Sequence, residues 1–197
     1  MIGSANKPTK QGEIEMPNLC TNHLSVSGDT VSIKRFLNAI TTKEHRQDHE
    51  DFRILDNLLP SPKNNEDWYN WNIKNYGSKW SDYDGIIQSQ SVNELRLVFN
   101  SAWSPICEGI RQVSVQFPSL NFLHTFEEGG MQFCGGVAIS NGQVLGEVEG
   151  SYPSMTSEQL ENDKYEEFYE IVQMEVDRIE KLLVELFSYH NQKKVTA

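Results

Sequence analysis

From Ser157 to about Gln192 the chain contains neither Gly nor Pro, so nothing in that stretch breaks a helix. Thr156-Ser157-Glu158-Gln159 fits a capping box at its start. Tyr165, Phe168, Val172, Val176, Ile179, Leu183, Leu186 and His190 recur at a 3-4 spacing, and Ile171 and Leu182 widen the stripe. At ~1.5 Å per residue such a helix is about 50 Å long. A compact domain in a chain of 197 residues cannot cover all of it. Part of the stripe must meet another chain, fold back or stay exposed. The stripe, with Phe168, Val172, Ile179, Leu183 and Leu186 as its seam, predicts self-association, most simply as a two-fold homodimer. Leu183, Leu186 and Phe187 left in water would cost about 1.5–3 kcal/mol each relative to burial. From Ser151 onward ten acids stand against five bases. They make parallel pairing repulsive and favour an antiparallel or crossed arrangement. The competing expectation is a helix laid across the free face of the chain's own sheet.

Upstream, the pattern alternates between strand and helix. His23 to Ser27 alternates with Leu24 and Val26 on one side, which predicts a half-buried strand. Gly28-Asp29 turns the chain, and Asp29 or Thr30 caps a helix whose stripe is Val31, Ile33, Phe36, Leu37 and Ile40. Phe52 to Leu59 is apolar enough to pack, and Pro60-Ser61-Pro62 ends it. Asn64 to Tyr76 has helical spacing, with Gly77 as its stop. Ser78-Lys79-Trp80 leads away as an extended piece, and Asp82 to Gly85 reads as a turn. Leu95, Leu97 and Phe99 alternate with Arg96, Val98 and Asn100, the clearest strand in the chain. Ser104-Pro105 predicts a capped helix start, and Ile106, Ile110 and Val113 point inward until Pro118. Leu120 to Glu127, Met131 to Ser140 and Gln143 to Glu149 predict three strands, joined at Gly129-Gly130 and at Asn141-Gly142. Gly135-Gly136 signals a bulge or a close approach of backbones.

The order is βαββαβ-like with extra strands. It predicts an α+β fold with a mainly antiparallel sheet, an aromatic insertion at residues 60–85 and a hairpin extension at 130–149. Residues 1–15 are polar and aperiodic and read as a disordered lead-in, 16–150 as the domain, and 151–197 as the long C-terminal helix.

Net charge is −11. That excludes non-specific attachment to nucleic acid or to an anionic membrane, which needs Lys and Arg opposite phosphate. It suits a basic protein partner, or simple solubility. Cys20, Cys107 and Cys134 form no CxxC pair, which predicts reduced thiols in a cytoplasmic protein. No run approaches the ~20 apolar residues of a membrane span, and no apolar leader segment stands at the N-terminus. His45 and His49 have helical metal-ligand spacing, but no third ligand accompanies them, so no metal and no cofactor is expected.

Three of the four Trp lie between Asp67 and Asp84, and the fourth, Trp103, ends the following strand. Aromatics this dense among Asn, Lys and Asp suit a rigid surface that stacks and hydrogen-bonds; they equally suit a second core. The candidate binding residues are Trp68, Trp71, Lys79, Trp80, Asp82, Trp103, Glu127 and Glu128. Lys79, Asp82, Asp84, Glu127 and Glu128, converging beside Trp103, are also the groups that an acid–base hydrolase would need. None of the nucleotide, zinc-protease or serine-hydrolase motifs is present.

Four pieces carry a resemblance. They are Met16 to Gly28 (MPNLCTNHLSVSG); Trp68-Tyr69-Asn70-Trp71 with Tyr76 to Trp80; Asn100 to Pro105 (NSAWSP); and Glu127 to Gly136 (EEGGMQFCGG). Together, over roughly Met16 to Glu149, they resemble the YubB-like, Api-type ferredoxin-like proteins of phages and conjugative plasmids. The chain departs from that pattern at Leu19, where the family usually has Trp, at Tyr76, often Trp there, and at Ile106, where a second Pro is common. The resemblance implies a ferredoxin-like fold, no known activity and a mobile-element accessory protein acting in bacterial cytoplasm. With the Trp-rich surface and the acidity, it predicts a non-catalytic protein that occupies a host protein, a defence component being the natural example. The alternatives are sequestration of a small nucleotide signal, with Trp rings stacking the base and Lys79 facing phosphate, and a carboxylate-based hydrolase.

Overall fold

Strand β1 (Leu19–Ser27) lies at the centre of a six-stranded sheet. The computed structural model describes residues 18–41, 51–62, 66–154 and 165–195, with side chains of the last helix through residue 188. Along the chain follow α1 (Thr30–Ile40), α2 (Leu55–Leu58), α3 (Trp68–Tyr76), β2 (Tyr83–Gln90), β3 (Glu94–Ala102), α4 (Cys107–Val115), β4 (Asn121–Glu128), β5 (Phe133–Ser140), β6 (Gln143–Ser151) and α5 (Tyr165–Val195). The strand order is β2-β3-β1-β4-β5-β6, and every neighbouring pair is antiparallel. The four strands β2-β3-β1-β4, with α1 and α4 as crossovers, are the ferredoxin-like unit; the β5–β6 hairpin extends one edge.

The alternation of β1 divides the molecule. Leu24 and Val26 face a core that also holds Leu97, Phe99 and Phe122 from the sheet and Phe36, Ile110 and Val113 from the helices. Asp29 caps α1 by accepting from the amides of Val31 and Ser32, both at 3.0 Å. Val31, expected on the inner stripe, is exposed, because it stands on the opposite side of α1 from Ile33, Phe36 and Ile40. Asn141 and Gly142 have φ of 47° and 74°, the left-handed pair that the turn between β5 and β6 requires.

Three local expectations are corrected. Residues 83–85 begin a strand, β2, rather than a turn. Register shifts between Tyr83 and Ile86 and between Ile87 and Ser89 break its alternation, and so conceal it in the sequence. Helix α4 starts at Cys107, two residues after Pro105, and its N-cap Ile106 has no side-chain cap. The Ser104 hydroxyl donates instead to the carbonyl of Gly77 at 2.7 Å. The first strand begins at Leu19 rather than His23, because β3 and β4 pair with it along that length.

The long helix follows the competing expectation. It lies across the other face of its own sheet, over β4, β5 and β6. Val172, Val176, Ile179, Leu183 and Phe187 are buried with Cys134, Ala138 and Tyr152, while Phe168 and Leu186 pack at the margin. The seam expected to meet a second chain is thus occupied within one chain. The sheet accepts it because one face of the hairpin is nearly bare. A Cβ on Gly136 would stand 2.7 Å from Leu183 Cδ1, one on Gly146 2.5 Å from Leu186 Cδ1, and one on Gly150 3.0 Å from Ile179 Cδ1. Glycine there lets the helix approach where any side chain would hold it off. The capping box at 156–159, the lead-in at 1–15, and His45 and His49 lie outside the described residues. No described helix is long and apolar enough to cross a membrane.

Candidate functional site

Helix α3 ends at Gly77, whose φ of 86° lets its amide reach back to the carbonyl of Ile73. The segment that follows is tied to the end of β3. Ser78 Oγ, fully buried, donates to the carbonyl of Ala102 at 2.9 Å and accepts from its amide at 3.2 Å. Asn72 Nδ2 donates to the carbonyl of Lys79 at 2.8 Å. Trp103 is held at φ 63°, in the left-handed region that side chains avoid, and its amide donates to the carbonyl of Asn18 at 2.9 Å. These ties aim three side chains at one another. Lys79 Nζ lies 4.9 Å from the centroid of the Trp80 ring and 4.5 Å from that of Trp103. Each is within the distance at which an indole face attracts a cation.

The rest of the aromatic segment divides between surface and core. Trp68 is 42% exposed and Trp80 37%, and Tyr69 and Ile73 are exposed beside them on α3. Trp71 is half-buried against the main core, edge-on to Tyr76 at 5.3 Å. Tyr76 donates its hydroxyl to the carbonyl of Leu59. One end of the Trp set thus anchors the segment, and the other presents rings to solvent.

The carboxylates do not join this site. Asp82 is fully buried, and its two oxygens accept from the amides of Ile54 at 2.6 Å and Leu55 at 2.8 Å. Burial pushes its carboxyl up to about 6 against the pull of those amides. Glu128 is buried and clamps the β4–β5 turn by accepting from the amides of Gly130 and Met131. Glu127, one residue earlier, faces the opposite side of the sheet, under α5, where burial raises its carboxyl above the ordinary range. Of the four carboxylates expected together beside Trp103, these three are instead divided between a loop anchor, a turn clamp and the other face.

A buried polar group beneath the site went unread in the sequence. His124 of β4 is fully buried, and its Nε2 lies 2.9 Å from Asn22 Oδ1. Asn22 Nδ2 donates to the carbonyl of Cys20 and to Ser101 Oγ, both at 2.8 Å. His124 Nδ1 has no partner, and burial drives the ring down to about 3, so it stays neutral. The alternation of β4 places His124 with Phe122 on the inner face, and that position was the available signal. Cys20 and Cys134 are buried and Cys107 half-buried, all as free thiols. Among the described residues no group of His, Cys, Asp and Glu is placed to hold a metal.

Sheet order, crossover helices and the appended hairpin define an α+β protein of ferredoxin-like fold. Residues 73–172, just over half of the chain, match the family described as the ferredoxin-like domain in Api92-like protein, and the chain belongs to that family. The matched stretch starts inside α3 and reaches into α5, so it takes in part of the helix that the four resembling pieces left out. The crystal structure of a protein api92 from Yersinia pseudotuberculosis is similar, with a TM-score of 0.48 and 12% identity over 71% of this chain and 99% of that one. No curated protein matches.

Proposed function

We propose that the chain is a non-catalytic accessory protein of a phage or conjugative plasmid. In this reading it binds and inhibits a basic host protein in the bacterial cytoplasm, a defence component being the natural target, through the surface of Trp68, Trp80 and Trp103. The observation that carries the proposal is the placement of Lys79 between the rings of Trp80 and Trp103. It stands on a segment tied to the end of β3, and the preceding helix α3 exposes Trp68 and Tyr69. Rigid, half-exposed indoles are the side chains that dominate protein interfaces. The division of Asp82, Glu127 and Glu128 counts against a carboxylate hydrolase. Lys79 already occupies ring faces on which a nucleotide base would stack, which counts against sequestration.

The acids lie elsewhere. Glu166, Glu167, Glu170, Asp177 and Glu185 are exposed on α5, across the sheet from the Trp surface. Their field favours the approach of a basic partner, and the indoles supply the contact. The test is capture from bacterial lysate with the wild-type chain and with Trp80→Ala and Trp103→Ala. A partner held by the wild type and lost by both variants supports the proposal. A partner held equally by all three, or a nucleotide co-purifying with no protein, refutes it.

A further inference from the structure

We infer that the cavity under the start of α5 binds an organic cation, an ammonium or guanidinium group. The cavity has a volume of about 180 Å³ and is lined by Glu127, Tyr152, Phe168, Tyr169, Leu19 and Val172. A single water needs about 10–15 Å³ of such space, so the cavity accommodates a larger head group. Three of its eight lining residues are aromatic, and Thr21 and Gly129 complete the wall. Phe168 meets Tyr152 edge-on at 5.8 Å between centroids and Tyr169 at 5.9 Å. Tyr152 and Val172 are buried at the floor, whereas Tyr169 and Leu19 are exposed at the mouth.

Glu127 supplies the charge. Its position in β4 is fixed by pairing with Thr21 on one side and Cys134 on the other. Among the described residues no hydrogen bond or ion pair forms at its carboxylate. The one influence that moves its protonation equilibrium is its own burial, whereas a neighbouring Lys or Arg would act in the opposite direction. Arg178, whose charge acts on the neighbouring Cys134, is engaged by Glu175 at 2.6 Å. A half-buried carboxylate without a counter-ion is costly to hold, and a cation entering the cavity removes that cost. Aromatic faces around it attract the same ligand, more strongly once water is displaced. A neutral apolar ligand would gain the ring contacts but leave the carboxylate unpaired. An anion would meet Glu127 head-on.

This site lies on the face opposite the Trp surface and does not rest on the function proposed above. Its test uses the full chain and simple probes: tetramethylammonium, Nα-acetyl-lysine methylamide and Nα-acetyl-arginine methylamide. Nα-acetyl-norleucine methylamide serves as the neutral control. Binding is read from aromatic proton–carbon NMR signals of Tyr152, Phe168 and Tyr169. We expect saturable shifts of these signals with at least one cation and none with the neutral control. Preference for tetramethylammonium indicates a free quaternary amine, and preference for either blocked amino acid indicates a side chain of a peptide or protein. Glu127→Gln, which keeps shape and removes charge, should weaken binding by about tenfold or more, and Phe168→Leu by about threefold to tenfold. Trp80→Ala should leave binding unchanged, so failure of the Trp surface does not affect the readout. The inference is overturned if no cation gives saturable shifts, if norleucine binds as well, or if Glu127→Gln binds as tightly as the wild type.

Discussion

Leu183 Cδ1 stands 2.7 Å from the point at which a Cβ on Gly136 would lie, so at this point the long helix rests on backbone. The His124 carbonyl and Thr125 Cγ2, both 3.0 Å from the same point, leave little room for adjustment. Gly136→Val should therefore destabilise the chain by about 1–3 kcal/mol, through overpacking. Leu183→Ala should cost about 2–5 kcal/mol, through the cavity it leaves. The two together should cost less than their sum, because the smaller residue makes room for the larger. Urea titrations of the three variants measure this; full additivity would remove the contact from the account.

With α5 seated within its own chain, we expect its stability not to depend on a second copy. The urea midpoint of the wild type should stay constant over about a hundredfold range of chain concentration. Leu183→Glu, which buries a charge, should cost about 3 kcal/mol or more, whereas Lys181→Glu on the exposed side should stay within about 0.5 kcal/mol. A midpoint that rises with concentration would return the stripe to an interface between chains.

The limits of the sequence follow from what each residue's partner is. Leu95, Leu97 and Phe99 announce β3, and Asn141-Gly142 the β5–β6 hairpin, because these signals are local. Strand β2 was hidden because its register shifts destroy the alternation that identifies a strand. Ser104 carried a true capping signal, but its hydroxyl found the Gly77 carbonyl first. Asp82 and Glu128 looked chemical because the amides that claim them belong to a distant segment or to a turn. The seat of α5 was legible in principle. Gly136, Ala138, Gly146 and Gly150 fall on one face of two paired strands, and a face so bare implies something large lying on it. Trp80 and Trp103 were singled out by density alone, and their approach to Lys79 required the fold.

His124 predicts an acid response with a definite sign. Its folded value of about 3 lies below the ordinary 6.5. Between those values the unfolded chain binds the proton and the folded chain does not, so stability present above about pH 6.5 is lost as pH falls towards 3. Asp82 acts in the opposite direction: its carboxyl, raised from 3.8 to about 6, makes the folded state less stable as pH rises through that window. His124→Gln should remove the first contribution and leave the second. The wild type should then lose stability relative to the variant by up to about 1.4 kcal/mol per pH unit below pH 6.5. Parallel profiles for the two proteins would mean that His124 is protonated in the folded state.

Trp103 allows backbone strain and ring contact to be separated. At φ 63° an ordinary side chain costs about 1–2 kcal/mol, and Gly costs little. Trp103→Ala and Trp103→Gly remove the same ring and free Lys79 equally. In most positions within or beside a strand, Gly would be the less stable of the two by about 0.5–1 kcal/mol, because it loses more freedom on folding. Here the order should invert, with Trp103→Gly more stable than Trp103→Ala by about 1 kcal/mol in urea titration. Partner capture should respond differently. If the indole itself makes the contact, both variants lose the partner to the same extent despite their unequal stability. Recovery of capture by Trp103→Gly alone would instead show that the backbone at this position, not the ring, is what the partner requires.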